Sequence, residues 1–194
     1  MKIIGITGAS GSGKSEFVNA LNLPVINADK VAREVVEKGS DCLAKLVEHF
    51  GEDILFADGT LNRKLLAKKA FSTREQTDVL NSITHPFIKD LINKEICDLK
   101  TRGEKVIVLD APQLFEANCE DLCDFVVGVL ADFEIRKARI MKRDNINEDD
   151  AVVRLSAGKS DDFFYEKCDK IIINNDSVDK LKLSAKNLLK ELDI

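Results

Sequence analysis

The chain has 194 residues, 44% of them hydrophobic and 32% charged, with three prolines; that mix suits a packed soluble core and excludes a disordered or low-complexity chain. A net charge of −5 speaks against nucleic acid as a partner, since a phosphate-tracking surface needs an excess of Lys and Arg. No stretch approaches the roughly 20 apolar residues that span a bilayer, so no membrane association is expected.

The first residues, MKIIGITG, are broken by glycine too soon for a secretory signal, and a cytoplasmic location is expected. The cysteines (Cys42, Cys97, Cys119, Cys123 and Cys168) form no CxxC pair. With only two histidines in the chain, a zinc site is not expected, and reduced, structural thiols fit best.

Short Val/Ile-rich runs predict buried strands at Lys2–Ile6, Pro24–Asn27, Lys105–Leu109, Phe125–Leu130 and Lys170–Ile173. These runs are too continuous for a sheet with one wet face, so a parallel sheet covered on both faces is expected. Helical patterns alternate with them at Lys14–Leu21, Asp29–Glu37, Asp132–Arg143 and Val178–Leu192, the signature of an α/β architecture. Between the second and third strands the chain carries a helical stretch, residues 40–100, with no convincing strand. One crossover helix does not need that length, so an inserted helical subdomain over the acceptor substrate is expected. Pro86 reads as lying early in a helix that runs on to Lys100. A further helical pair, Glu148–Ala157 and Asp161–Lys167, precedes the last strand, with Asn147 as N-cap and Glu148, Asp149 and Asp150 suiting the first turn.

The segment GASGSGKS, Gly8–Ser15, follows the first strand and opens a helix, the context in which G-x-x-x-x-G-K-[ST] makes a phosphate-binding loop. Gly8, Gly11 and Gly13 permit backbone that a Cβ would block. Successive N–H groups, those of Ser12 and Glu16 included, then form an anion nest at a helix N-terminus. Lys14 brings a mobile positive charge to the β- and γ-phosphates, and the Ser15 hydroxyl suits Mg²⁺. Neither D-x-x-G nor N-K-x-D occurs, which points away from guanine nucleotides and toward ATP. A motor-sized ATPase core does not fit this length, which leaves a small-molecule kinase.

Asp29, just past the second strand, stands where a doubly wound sheet binds ligands and could take the proton of an attacking hydroxyl. Taken alone, the same residue suits a helix N-cap. Asp110 ends an apolar strand like a carboxylate that holds a Mg²⁺-bound water, and it equally suits a strand-end turn. Arg136, Arg139 and Arg143 are spaced i, i+3, i+7, one helical face. Such a face can close over a transferring phosphoryl group, or simply be solvated. His85 before Pro86 reads as a capping or core-edge residue as readily as a ligand.

Taken together, these elements resemble the dephospho-coenzyme A kinase family, from Ile4 to about Asn175. The resemblance rests on the phosphate loop, Asn27–Arg33, LNRKLLAKKAF at Leu61–Phe71 and His85–Pro86. It continues through VIVLDAPQLFEA at Val106–Ala117, RKARIMKRD at Arg136–Asp144 and CDKIIINN at Cys168–Asn175. It implies a kinase-type, five-stranded parallel sheet with helices on both faces, a helical acceptor subdomain at about 40–100 and a short lid at about 136–165. The implied reaction transfers the ATP γ-phosphate to the ribose 3′-hydroxyl of dephospho-CoA, the last step of CoA synthesis, with Mg²⁺ and no obligate protein partner. It makes Asp29 the base and Arg33 an acceptor contact, and sets Arg63, His85 and Glu116 along the acceptor side. Arg139 and Arg143 fall on the lid, and Asn174 near the adenine. Asn27, Glu16, Gln113 and Gly158 depart from the family's usual acidic residue, Thr, Leu and Gln, while Lys14, Ser15, Asp29 and Arg143 are kept. Two other readings stay open on the residues alone: a P-loop kinase for another hydroxylated acceptor, and an ATP-sensing regulator that needs no base at Asp29.

Overall fold

The computed structural model describes every residue, Met1–Ile194. Its sheet is built from β1 (Lys2–Gly8), β2 (Val25–Asn27), β3 (Val106–Asp110), β4 (Phe125–Leu130) and β5 (Lys170–Ile173), in the order β2-β3-β1-β4-β5. β1 runs parallel to β3 and β4, and β4 parallel to β5. The apolar runs therefore became strands as expected, and β1 and β3 extend to Gly8 and Asp110, the residues that begin and flank the phosphate loop.

Both faces of the sheet are covered. Ile4, Ile6, Val108, Val127, Val129 and Ile172 pack with Phe17, Val18 and Leu21 of α1 (Lys14–Leu21) and Leu181, Ala185 and Leu188 of α9 (Val178–Glu191). Side chains alternate across a strand, so Gly5 and Gly128 face the other way. A Cβ on Gly5 would meet Cys123 Sγ at 2.6 Å, and one on Gly128 would meet Cys168 Sγ at 3.0 Å. The second face is thus closed by the β3–β4 connection and by the end of α8 (Asp161–Lys167). All cysteines are free thiols. Burial pushes the Cys123 thiol up to about 12 and the Cys168 thiol to about 11, which keeps both protonated at neutral pH and fits the structural reading.

Chain contacts divide the molecule into two compact units, residues 1–26 with 103–194 and residues 27–102. The second unit is helical: α2 (Ala28–Glu34), α3 (Asp41–Phe50), α4 (Arg63–Ala70) and α5 (Arg74–Thr101), with one isolated antiparallel bridge, Leu55 to Leu61. Leu43, Leu46, Phe50, Leu66 and Ile92 form its buried interior, and α2, α3 and α4 all pack on α5.

Pro86 departs from expectation, because it lies inside α5 rather than early in its helix. The helix starts twelve residues before it, where the Thr73 side chain accepts from Gln76 N–H at 3.2 Å. A proline in a helix interior deletes one backbone donor, and here packing by α2, α3 and α4 outweighs that loss. Asn147 caps α7 (Glu148–Ser156) as expected, accepting from Asp150 N–H at 2.8 Å.

Gly8 pairs with Val129 across β1 and β4, and a Cβ on it would run into the Val129 carbonyl oxygen. That neighbour is backbone and cannot rotate away. Gly8→Ala is expected to cost about 3 kcal/mol, lowering the thermal midpoint by roughly 6–12 °C for a chain of this size; an unchanged calorimetric midpoint would show that β1 and β4 part there at no cost.

Candidate functional site

The phosphate loop begins where central β1 ends. Gly11 (φ 77°) and Gly13 (φ 89°) occupy the left-handed region, which glycine enters without a Cβ penalty. Close neighbours also demand glycine: a Cβ on Gly11 would sit 2.8 Å from the Arg136 carbonyl oxygen, and one on Gly13 would strike Asn174 Nδ2. Gly13 is the N-cap of α1 and has no side chain with which to cap it. The first N–H groups of α1, from Lys14 to Glu16, therefore have no intrahelical acceptor and face outward as an anion site.

The carbonyls of the loop are held from behind. Arg139, on α6 (Phe133–Asp144), donates to Gly11 O at 3.4 Å, to Ser12 O at 3.2 Å and to Asn174 O at 3.0 Å. Asn174, just past β5 and buried, donates from Nδ2 to Ser12 O at 2.7 Å. A helix and a strand-end loop thus converge on two successive peptide groups and fix how those peptides point. At the other flank Lys14 Nζ pairs with Asp110, which is 4% exposed at the end of β3. Thr7 is fully buried and donates to Pro112 O at 3.1 Å, tying the end of β1 to the exit of β3. Ser15 and Glu16 are exposed at the start of α1.

No group of three or more His, Cys, Asp or Glu side chains that could hold a metal ion exists in the chain. A divalent cation would find two protein oxygens here, the Ser15 hydroxyl and the Asp110 carboxylate, beside the cradle. Phosphate oxygens and waters would supply the rest, an arrangement that suits Mg²⁺ and its reluctance to dehydrate.

The three arginines of α6 part company. Arg139 serves the loop. Arg136 is 8% exposed and turns to Asp161, with Nη2 and Oδ1 3.3 Å apart. Arg143 forks onto Asp144 at 2.8 and 2.9 Å, and Arg154 joins the same carboxylate at 2.6 Å. The hydrogen-bonded guanidinium of Arg143 holds the Asp144 carboxyl below its ordinary range. The i, i+3, i+7 spacing puts the three on one stripe of α6, while the length of an arginine lets each reach a different partner. Glu116, in the turn after β3, lies 3.7 Å from Lys159.

In the helical unit, the N-cap of α2 is Asn27, which accepts from Lys30 N–H at 2.9 Å. Asp29 sits in the first turn instead, its side chain exposed and entering no hydrogen bond or ion pair. The capping alternative for Asp29 is thereby removed. Arg63 donates to Arg33 O at 3.0 Å, which brings two of the expected acceptor residues together. His85 is half-buried in the interior of α5.

The family model for dephospho-CoA kinase matches residues 2–180. The chain belongs to the dephospho-CoA kinase family. A Listeria innocua dephospho-CoA kinase is 41% identical over 182 residues, covering 92% of this chain and 91% of that one. The crystal structure of a Thermus thermophilus protein superposes with a TM-score of 0.81 at 28% identity, covering 98% of this chain and 97% of that chain. A Campylobacter jejuni dephospho-CoA kinase, at 24% identity and a TM-score of 0.64 over 98% and 96% of the two chains, shares the fold.

Arg139→Lys keeps the charge and loses the planar fork that reaches three carbonyls. It is expected to weaken ATP binding about tenfold by calorimetry, the order of one or two charged hydrogen bonds. Undiminished affinity would mean that charge alone suffices.

Proposed function

We infer that this chain is an ATP-dependent kinase that phosphorylates the ribose 3′-hydroxyl of dephospho-CoA. The observation that carries the reading is the family match over residues 2–180, which spans the cradle, Asp29 and Asp110 in one chain.

In the mechanism that follows, Asp29 accepts the proton of the 3′-hydroxyl. The hydroxyl oxygen forms its bond to the γ-phosphorus as the bond to the β,γ-bridging oxygen breaks, and ADP leaves. Phosphoryl transfer is dominated by positioning and charge neutralisation, and these residues are suited to both. The cradle N–H groups and Lys14 oppose the charge of the β- and γ-phosphates. Arg139 keeps the cradle in shape from behind. Arg143, half-exposed on its Asp144 fork, has the freedom to leave that carboxylate for the transferring group, while Arg154 retains Asp144. Ser15 and Asp110 are the residues that would hold Mg²⁺, which would supply charge neutralisation at the phosphate oxygens. Arg33, Arg63, His85 and Glu116 are the acceptor contacts of this proposal, with residues 40–100 as the acceptor subdomain and residues 136–165 as the lid. Asn174 is placed near the adenine in the same reading. No helix is long and apolar enough to cross a membrane, which accords with a cytoplasmic enzyme.

Incubation with ATP, Mg²⁺ and dephospho-CoA should yield CoA by mass spectrometry; phosphate transfer to a nucleoside in its place would overturn the acceptor. Asp29→Asn should retain ATP affinity within about twofold and lose about 10²-fold or more in kcat, the usual scale for removing a general base. An ATP-binding regulator with no need of a base would show no such loss.

A further inference from the structure

The ladder between β4 and β5 stops one rung early. Its last regular bond runs from Asn174 N–H to Leu130 O at 2.8 Å. The parallel register sets Leu130 opposite Ile173, and carried two residues further it would set Asp132 opposite Asn175. The next bond would then run from Asp132 N–H to Asn174 O, since the rungs of a parallel pair are evenly spaced. Neither group makes it. Asp132 N–H donates to the side-chain Oδ1 of Asn175 at 2.8 Å, and Asn174 O accepts from Arg139 Nη2 at 3.0 Å.

This exchange bears on the phosphate cradle. Asp132 is the N-cap of α6, its own side chain caps nothing, and its carbonyl starts the helix by accepting from Arg136 N–H at 2.9 Å. Asn175 occupies the N–H at the head of α6 and so leaves the Asn174 carbonyl to the guanidinium two turns further on. That guanidinium also holds Gly11 O and Ser12 O, and Asn174 Nδ2 holds Ser12 O at 2.7 Å. Two consecutive asparagines thus fasten α6 at its head and at its middle. Without Oδ1 of Asn175, the Asp132 N–H would need another acceptor, and Asn174 O is the one the register offers, in competition with Arg139. Only the acceptor end of the Asn175 amide is used, because its Nδ2 makes no hydrogen bond. The opposite end of β5 provides a control. There Val126 N–H donates to Asp169 Oδ2 at 2.7 Å, a side chain ending the same ladder with no bond to the cradle.

We propose that Asn175 is a positioning residue for the nucleotide phosphates. By occupying Asp132 N–H it reserves the Asn174 carbonyl for Arg139, and Arg139 in turn keeps the carbonyls of Gly11 and Ser12 turned from the anion. The proposal rests on ATP being the nucleotide of the cradle.

Calorimetric ATP affinity, read with steady-state kinetics, tests it. Asn175→Ala should weaken ATP binding about fivefold, the scale of one hydrogen bond, and raise KM for ATP with it, while KM for dephospho-CoA stays within about twofold. Asn175→Asp keeps the acceptor and loses only the idle Nδ2, so its ATP affinity should stay within about twofold of wild type. Asp169→Ala should lower the thermal midpoint and leave ATP affinity within about twofold. In an Arg139→Lys background, where the fork is already gone, adding Asn175→Ala should weaken binding by less than about twofold more, because the two residues act on one contact. Unchanged affinity in Asn175→Ala, losses that multiply in the double variant, or an equal loss in Asp169→Ala would overturn the proposal and leave the kinase reading intact. Should Asn175→Ala not fold, Asn175→Asp still decides, since a fivefold loss there would show that the acceptor is not what matters. A wild-type protein with no measurable ATP affinity would overturn both.

Discussion

A peptide group has two polar ends, and a loop that offers its N–H groups to a phosphate must find donors for its carbonyls elsewhere. Everything around Gly8–Ser15 follows from that constraint. Arg139 and Asn174 supply donors to the carbonyls of Gly11 and Ser12, and they come from α6 and from the exit of β5. The sheet order β2-β3-β1-β4-β5 puts the loop at the end of the central strand, where those two elements can reach it. The glycines complete the arrangement, because the Arg136 carbonyl leaves no room for a Cβ at Gly11 and the Asn174 amide leaves none at Gly13. The loop, α6 and the exit of β5 are one hydrogen-bonded assembly.

The opposite flank obeys a different rule. Asp110 is a nearly buried carboxylate, and such a group stays charged only beside a compensating cation. Lys14 is that cation, so the lysine proposed to meet the triphosphate is already poised by an ion pair. On the proposed reading, incoming phosphate would compete with Asp110 for one ammonium group, and a divalent cation at Asp110 would relieve the competition.

Much of this was legible in the residues. Continuous apolar runs gave parallel strands, because a strand covered on both faces has no reason to alternate. Gly-Lys-Ser at a strand–helix junction gave the cradle, because few other structures need that spacing. Asn147, followed by three acidic residues, announced a helix start by the same local chemistry that the structure uses. What the residues hid was long-range. Arg136, Arg139 and Arg143 share a stripe, yet their fates depend on Asp161, the loop carbonyls and Asp144, which no spacing encodes. Asn174 carries no mark that its amide will bond Ser12 O across the sequence. Pro86 misled because its local penalty was outweighed by tertiary packing, and Asp29 looked like a cap until Asn27 took that role. Thr7 gave one overlooked signal: a hydroxyl near the end of an apolar strand needs an acceptor, here Pro112 O.

The register of the sheet also sets an order of events during synthesis. Lys2 pairs with Val106 and Ile4 with Phe125, so β1 leaves the ribosome long before either neighbour exists. Residues 27–102 draw on contacts among themselves and emerge complete in between. An apolar strand awaiting distant partners is the segment most exposed to mispairing. In the nascent chain, the strand that will carry the phosphate loop is the one most in need of a chaperone's protection, and the helical unit is the first part able to do without it.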